Sequence, residues 1–306
     1  MDLMLPARDD VLLAASLFEP GTPNGGAILL NSGTGIVRQF YAGFAQHLAS
    51  RGFPVLTYDY RGIGQSQALS AATVEQWGRL DQASMIDHLA RLCPGASLGL
   101  IGHSFGGQVL GLADNIATID AAVLICSQSG HWRHWPRGRR RLRMLALWWL
   151  LIPGLTAATG RFPGSWIGTA DLPAAIAQSW ARWGRSPHYV CDGRGRPLRP
   201  YNDDVAFPIR WLSFIDDPIA PPDAVEALRH YYPNAPVERL HLAPADLGAH
   251  AIGHFGFFRK SMPRAAWDEV ARWLTKSLPG ARHAPIDLCA AESARVVGRP
   301  RAASAG

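Results

Sequence analysis

Cysteine is scarce in this chain: Cys93, Cys126, Cys191 and Cys289 are the only four, and none is in a C-x-x-C spacing. At 306 residues the chain can bury a large core without covalent staples, so a disulfide scaffold is set aside and the thiols are read as reduced. Long apolar runs are also missing. Residues 144–155 form a run of twelve, short of the roughly 20 that a bilayer crossing needs. The opening MDLMLPARDD carries Asp2 and no basic flank, and the next apolar run, residues 11–18, is short. No signal peptide is expected, and the protein is placed in the cytoplasm. There is no internal repeat. With 18% charged residues against 48% hydrophobic ones, disorder is not the default reading.

Basic charge is not spread over the chain. Residues 128–206 hold twelve arginines, four aspartates and no lysine or glutamate, and residues 276–306 add a smaller basic excess. The rest of the chain is mildly acidic, so a nucleic-acid-coating protein is excluded and no nucleic-acid partner is expected. The basic segment also holds seven of the eleven tryptophans.

Strands and helices alternate along the sequence. Residues 11–18, 27–30, 53–60, 98–102, 121–126, 209–215 and 237–242 read as strands. Helices are expected from residue 40 to 48, from a Thr73/Gln76 capping box to Leu92, over 105–112, near 225–231 and over 267–274. Such alternation predicts a mostly parallel sheet covered on both faces, which is an α/β fold. Residues 1–127 and 207–278 form its core. Residues 128–206 interrupt it as an inserted, mainly helical cap, and residues 279–306 read as a disordered tail.

Gly102-His103-Ser104-Phe105-Gly106 lies where a strand turns into the expected helix 105–112. Such a turn strains the backbone at the serine, small neighbours relieve crowding, and the hydroxyl is left exposed at the carboxyl end of the sheet. The amides that open the helix would face developing negative charge. Activation needs a base and an acid to orient it. Asp216 and Asp217 follow the strand 209–215, and His254 lies in a glycine-flanked loop after the last strand. Asp216 and Asp217 both stay open here as the acid, and His250, four residues before His254, competes with it as the base, the glycine beside His254 counting in its favour. His103 is read as a packing or supporting residue, and Asp59 and Arg61 as ion partners near the site. His131 and His134 lack companions at ligand spacing, so neither a metal nor a cofactor is assigned.

These features together resemble the α/β-hydrolase superfamily over residues 1 to about 275. "TYDYRGIGQS" is similar to that family's D-x-R-G-x-G-x-S loop, and "SGTGI" lies where members carry His-Gly, with Ser32 in place of the histidine and Gly33 kept. The resemblance implies an oxyanion hole from the backbone amides of Thr34 and Phe105. "WGRLD", "GHSFGGQ", "DDPIAP" and "GHFGFFR" resemble a branch of bacterial hydrolases, and the resemblance implies Asp217, directly before Pro218, rather than Asp216 as the acid and His254 rather than His250 as the base.

The reading is a serine esterase acting on a small acyl substrate through Ser104, His254 and Asp217. Acyl transfer or thioester cleavage by the same residues is the alternative, and a binding or membrane-surface module the more distant one. A serine at position 104 argues against dehalogenase and epoxide hydrolase chemistry. The glutamate-free cap argues against an amine-binding aminopeptidase, and the missing H-G-G-G against that lipase branch. For the cap, a structural lid, an acyl pocket whose arginines attract an acidic substrate group, and docking on anionic lipid all stay open.

Overall fold

The computed structural model describes residues 1–279, so the expected tail lies almost wholly outside the described residues. Its strands are β1 (Asp2–Pro6), β2 (Leu12–Phe18), β3 (Gly26–Asn31), β4 (Val55–Tyr58), β5 (Ser97–His103) and β6 (Ala121–Ile125), the short β7 (Arg161–Phe162) and β8 (Leu172–Pro173), then β9 (Ile209–Phe214) and β10 (Val237–Leu242). Eight of them form one sheet in the order β1-β2-β4-β3-β5-β6-β9-β10, while β7 and β8 make a separate pair. Pairing is parallel from β4 to β10 and antiparallel only where β2 meets β1 and β4. This is the mostly parallel sheet, covered on both faces, that the alternation of strands and helices predicts.

Central strands such as "GAILLN" and "AAVLI" are buried along their whole length, because helices cover both faces of the sheet. Those helices are α1 (Ala42–Ser50), the single turn α2 (Val74–Gln76) running through a wider-wound stretch into α3 (Ala83–Leu92), and, past the insertion, α7 (Pro222–Arg229) and α8 (Arg264–Ser277). Thr73 and Gln76 make the capping box, with the Thr73 N–H donating to Gln76 Oε1 at 2.9 Å. β1 was not anticipated: it is a five-residue edge strand ending in proline and mostly facing solvent, which leaves little pattern to read.

One expected helix is absent. Residues 105–112 form two short 3₁₀ turns, Ser104–Gly107 and Leu110–Leu112. The cause is close packing of the backbone itself. A Cβ on Gly106 would lie 2.3 Å from the Asn31 carbonyl oxygen, and one on Gly111 would lie 2.0 Å from Asn202 Oδ1. Glycine also weakens a regular helix at these positions.

β6 pairs directly with β9, so the chain between them leaves the sheet and returns beside its starting point. That excursion, the cap, carries α4 (Arg139–Ala146), a wide π turn over Leu147–Leu151, α5 (Ile152–Thr159) and α6 (Ala174–Arg185). The first three run on as one helix of 21 residues, long and apolar enough by length and composition to cross a membrane. The helix outreaches the twelve-residue apolar run because residues 139–143 precede that run and residues 156–159 follow it in the same helix. In the fold, one stripe of this helix, Trp148, Ile152 and Thr156, is buried at helical spacing. Trp148 meets Trp180 of α6 edge-on at 4.8 Å. The cap is tied to the core by the Trp183 ring stacked on Phe105 at 5.7 Å and by the Val74 N–H donating to Ser179 Oγ at 3.1 Å.

Candidate active site

Ser104 is the first residue after β5, and its φ of +50° lies in the left-handed region that non-glycine residues rarely adopt. The small neighbours make this turn feasible. A Cβ on Gly102 would come within 2.8 Å of the Gly107 nitrogen, and Gly106 already packs against Asn31. With one 3₁₀ turn following in place of a helix, local first-turn amides rather than a long helix dipole face the serine.

Ser104 Oγ lies 2.9 Å from His254 Nε2, and His254 Nδ1 lies 2.8 Å from Asp217 Oδ2. All three side chains are buried. Asp217 Oδ1 also accepts the N–H groups of Ile219 and Ala220, at 2.8 and 3.1 Å. Burial pushes the Asp217 carboxyl up, but the His254 ring and the Ile219 amide outweigh it and hold the carboxyl below its usual range. Asp216 points elsewhere: exposed, it accepts the Ile252 N–H at 2.8 Å and so braces the histidine loop. His250 is exposed and outside the cluster.

His103 turns out to join the two loops that flank the serine. The Gly33 N–H donates to the Tyr41 hydroxyl at 2.9 Å, so that hydroxyl donates onward to His103 Nδ1 at 2.8 Å. His103 Nε2–H is then left to donate to the His254 carbonyl, also at 2.8 Å. Complete burial, with the His254 ring close by, lowers the His103 pKa to about 3, which keeps it in the neutral form this chain of bonds needs. Tyr41 was legible in the sequence only as an apolar helix position.

The Thr34 N–H has no hydrogen-bond partner among the described residues, and Thr34 shares a cavity with Ser104. Phe105 is the second residue of the 3₁₀ turn that Ser104 opens, where a first-turn amide has no partner within the turn. Its ring is held edge-on to Trp77 at 5.1 Å. Ser32 faces away and donates to the Tyr58 carbonyl at 3.2 Å.

Asp59 and Arg61 are ion partners, though not of each other. Asp59 binds Arg38 at 2.7 Å, whereas Arg61 bridges Asp9 and Asp81. Cys126, also at positive φ, sits with Asp217 and His254, their potential ligand atoms within 4.8 Å of one another. That set does not suit a metal. Burial raises the Cys126 thiol well above its ordinary value, and Asp217 and His254 are already bonded to each other. His131 and His134 meet edge-on with ring centres 5.2 Å apart, and among the described residues no thiol or carboxylate completes a set around them.

The cavity beside Ser104 measures about 160 Å³ and draws its walls from the core and the cap. Ile36, Ile219 and Phe255 come from the core, and Trp135, Met144, Leu147 and Trp148 from the cap. No arginine, lysine, aspartate or glutamate lines it. The arginines of α4 therefore lie away from any substrate bound there.

Residues 22–166, slightly under half of the chain, match the family model of the S33 serine aminopeptidases. No curated protein sequence matches the chain significantly. Among solved structures, it is similar to an esterase of Pyrococcus furiosus at 16% identity and a TM-score of 0.62, covering 91% of each chain. An esterase of Thermogutta terrifontis is similar at 20% identity and a TM-score of 0.54, covering 91% of this chain and 99% of that one. A monoacylglycerol lipase of Paleococcus ferrophilus is similar at 18% identity and 0.54, covering 87% and 99%. At these identities the likeness is one of fold.

Proposed function

This chain is an α/β-hydrolase by fold, and on that premise we propose that it is a serine hydrolase cleaving a carboxylic ester through an acyl-enzyme. The observation that carries the reading is the continuous line from Ser104 Oγ through His254 to Asp217, with bonds of 2.9 and 2.8 Å. His254 Nε2 takes the Ser104 proton as Oγ attacks the acyl carbonyl, and Asp217 holds the imidazolium that forms. The oxyanion rests on the amides of Thr34 and Phe105, each such donor being worth about 2.7 to 4 kcal/mol in related enzymes. His254 then protonates the departing alkoxide, and a water activated by the same nitrogen releases the acid. Thioester cleavage or acyl transfer would use the same residues. The names of the esterases and the lipase support ester substrates, and a cavity without carboxylates offers nothing to hold a peptide's amino terminus. Among the described residues the three cysteines are buried and unpaired, which favours a reducing compartment and a cytoplasmic enzyme.

A panel of p-nitrophenyl esters and thioesters of graded chain length, run beside Ser104→Ala, tests this. The expected result is ester turnover lost by orders of magnitude in the variant, while a variant that retains turnover sinks the reading.

The outward face of the long cap helix supports a second statement, that the enzyme works at anionic membrane surfaces. Leu142, Trp149 and Leu150 are exposed on that face, beyond arginines 139, 140 and 143, and no acidic residue occurs between Asp120 and Asp171. Co-sedimentation with phosphatidylglycerol vesicles should be strong at low salt and weaken as salt rises. Binding to neutral vesicles alone contradicts it.

A further inference from the structure

The walls of the cavity are mainly apolar, yet one part of its lining is polar in a way that ester cleavage leaves unused. Gln128, just past β6, is only 5% exposed, and its buried side-chain oxygen has no hydrogen-bond partner in the fold. Trp180 Nε1, on the same lining, is likewise buried, and its one polar contact is a weak one to the Tyr189 hydroxyl, outside good hydrogen-bond geometry. The surrounding polar groups are already committed. Gln108 Nε2 donates to the Gln128 main-chain carbonyl at 2.7 Å, and the Tyr189 hydroxyl donates to Gln108 Oε1 at 2.7 Å. Those bonds hold Gln128 in place without satisfying its amide. Buried polar groups are ordinarily paired, so an orphaned acceptor with a poorly paired donor on the lining of the same cavity points to a partner that arrives with the ligand.

The partner's chemistry follows from what else lines the cavity. No charged side chain faces it, which disfavours a carboxylate, phosphate or ammonium group. A hydroxyl suits the pair, because it donates to an amide oxygen and accepts from an indole N–H, and a keto oxygen suits the donor alone. The volume of about 160 Å³ resembles that of cavities that hold a benzene-sized group of about six heavy atoms.

We propose that Gln128 and Trp180 form a specificity site for a neutral hydroxyl or keto oxygen on the substrate's acyl group, making the preferred substrates esters of short hydroxy- or oxo-acids. The proposal rests on the ester-hydrolase reading. The acyl group, rather than the alcohol, is assigned to the cavity because it stays on Ser104 through the second half of the reaction. Sites built to bond a substrate hydroxyl discriminate strongly against an analogue without it, since their own polar groups are then left unpaired.

The test compares p-nitrophenyl 3-hydroxybutanoate with p-nitrophenyl 3-methylbutanoate, two esters that differ by a hydroxyl in place of a methyl group. The readout is the ratio of their kcat/KM values, each corrected for its rate with hydroxide. In the wild-type enzyme the ratio should favour the hydroxy ester, and in Gln128→Met it should fall about tenfold. Trp180→Phe, which removes the N–H donor together with one ring of the indole, should lower it severalfold and serves if the Gln128 variant fails to fold. Cleavage of both esters at a ratio that neither variant changes overturns this proposal and leaves the hydrolase standing. If neither ester is cleaved in a Ser104-dependent way, the failure belongs to the hydrolase reading itself.

Discussion

Residues 104–112 and 139–159 are both rich in apolar side chains, and the fold treats them in opposite ways. The first stretch is fully buried, and its backbone is drawn so close to Asn31, Ser127 and Asn202 that only glycine fits at three positions. It gives up helix to do so and holds a strained serine among fixed partners. The second stretch has room on its outer side, makes a continuous helix and leaves leucine and tryptophan exposed. Apolar composition alone therefore does not tell a core segment from a surface one. The distribution of glycine comes closer: in the first stretch a Cβ would collide with a neighbour at Gly106, Gly107 and Gly111, whereas a Cβ at Gly154 in the second would meet nothing within 4 Å.

The largest effect expected falls on the buried side of this contrast. Asp217→Asn should lower kcat about 10⁴-fold, as loss of the orienting carboxylate does in other serine triads. Asp216→Asn, which keeps an oxygen to accept the Ile252 N–H, should cost less than tenfold. Equal losses in steady-state assays would leave the acid unassigned and break the distinction between the two aspartates.

One substitution made in both regions sharpens the comparison. Gly106→Ala pushes a methyl group to within 2.3 Å of the Asn31 carbonyl oxygen and should destabilise the protein by about 3 kcal/mol. Gly154→Ala, on the open side of the cap helix, should stabilise it by about 0.5 to 1 kcal/mol. Urea denaturation reads both, and shifts of the same sign would contradict the packing account.

His103 allows a finer test, since it is a neutral bridge inside the rigid region. Its pKa is about 3 in the fold and about 6.5 when unfolded. Between these values the unfolded chain binds the extra proton, so the stability this residue contributes is present at pH 7 and lost as pH falls. The stability gap between the wild-type protein and His103→Gln should therefore narrow by about 2 kcal/mol from pH 7 to pH 5. The variant should also lose roughly tenfold in kcat/KM by loosening the His254 loop. A gap that does not change with pH would mean that His103 is not held neutral.

The site was legible where chemistry sits at strand ends. Ser104, Asp217 and His254 each follow a strand of a parallel sheet, and the order of residue types along the chain gave away their partnership. Strand positions were readable for a related reason: strands buried on both faces are continuous apolar runs bounded by glycine and proline. What could not be read depends on distance in space. Tyr41 and His103 are 62 residues apart, and nothing local in "FYAGF" says that its hydroxyl closes a bridge. The orphaned amide of Gln128 appears only once the cap has folded over it. The 3₁₀ turns after Ser104 were missed because the contacts forbidding a Cβ come from Asn31, Ser127 and Asn202, far away in sequence.

Covalent labelling tests the central claim most directly. The protein is treated at neutral pH with a fluorophosphonate, which reacts with an activated serine, and is then weighed intact and mapped by peptide mass. The account predicts one adduct per chain, on Ser104, and none in Ser104→Ala or in urea-unfolded protein. An unlabelled native protein, or an adduct on any other residue, would contradict it.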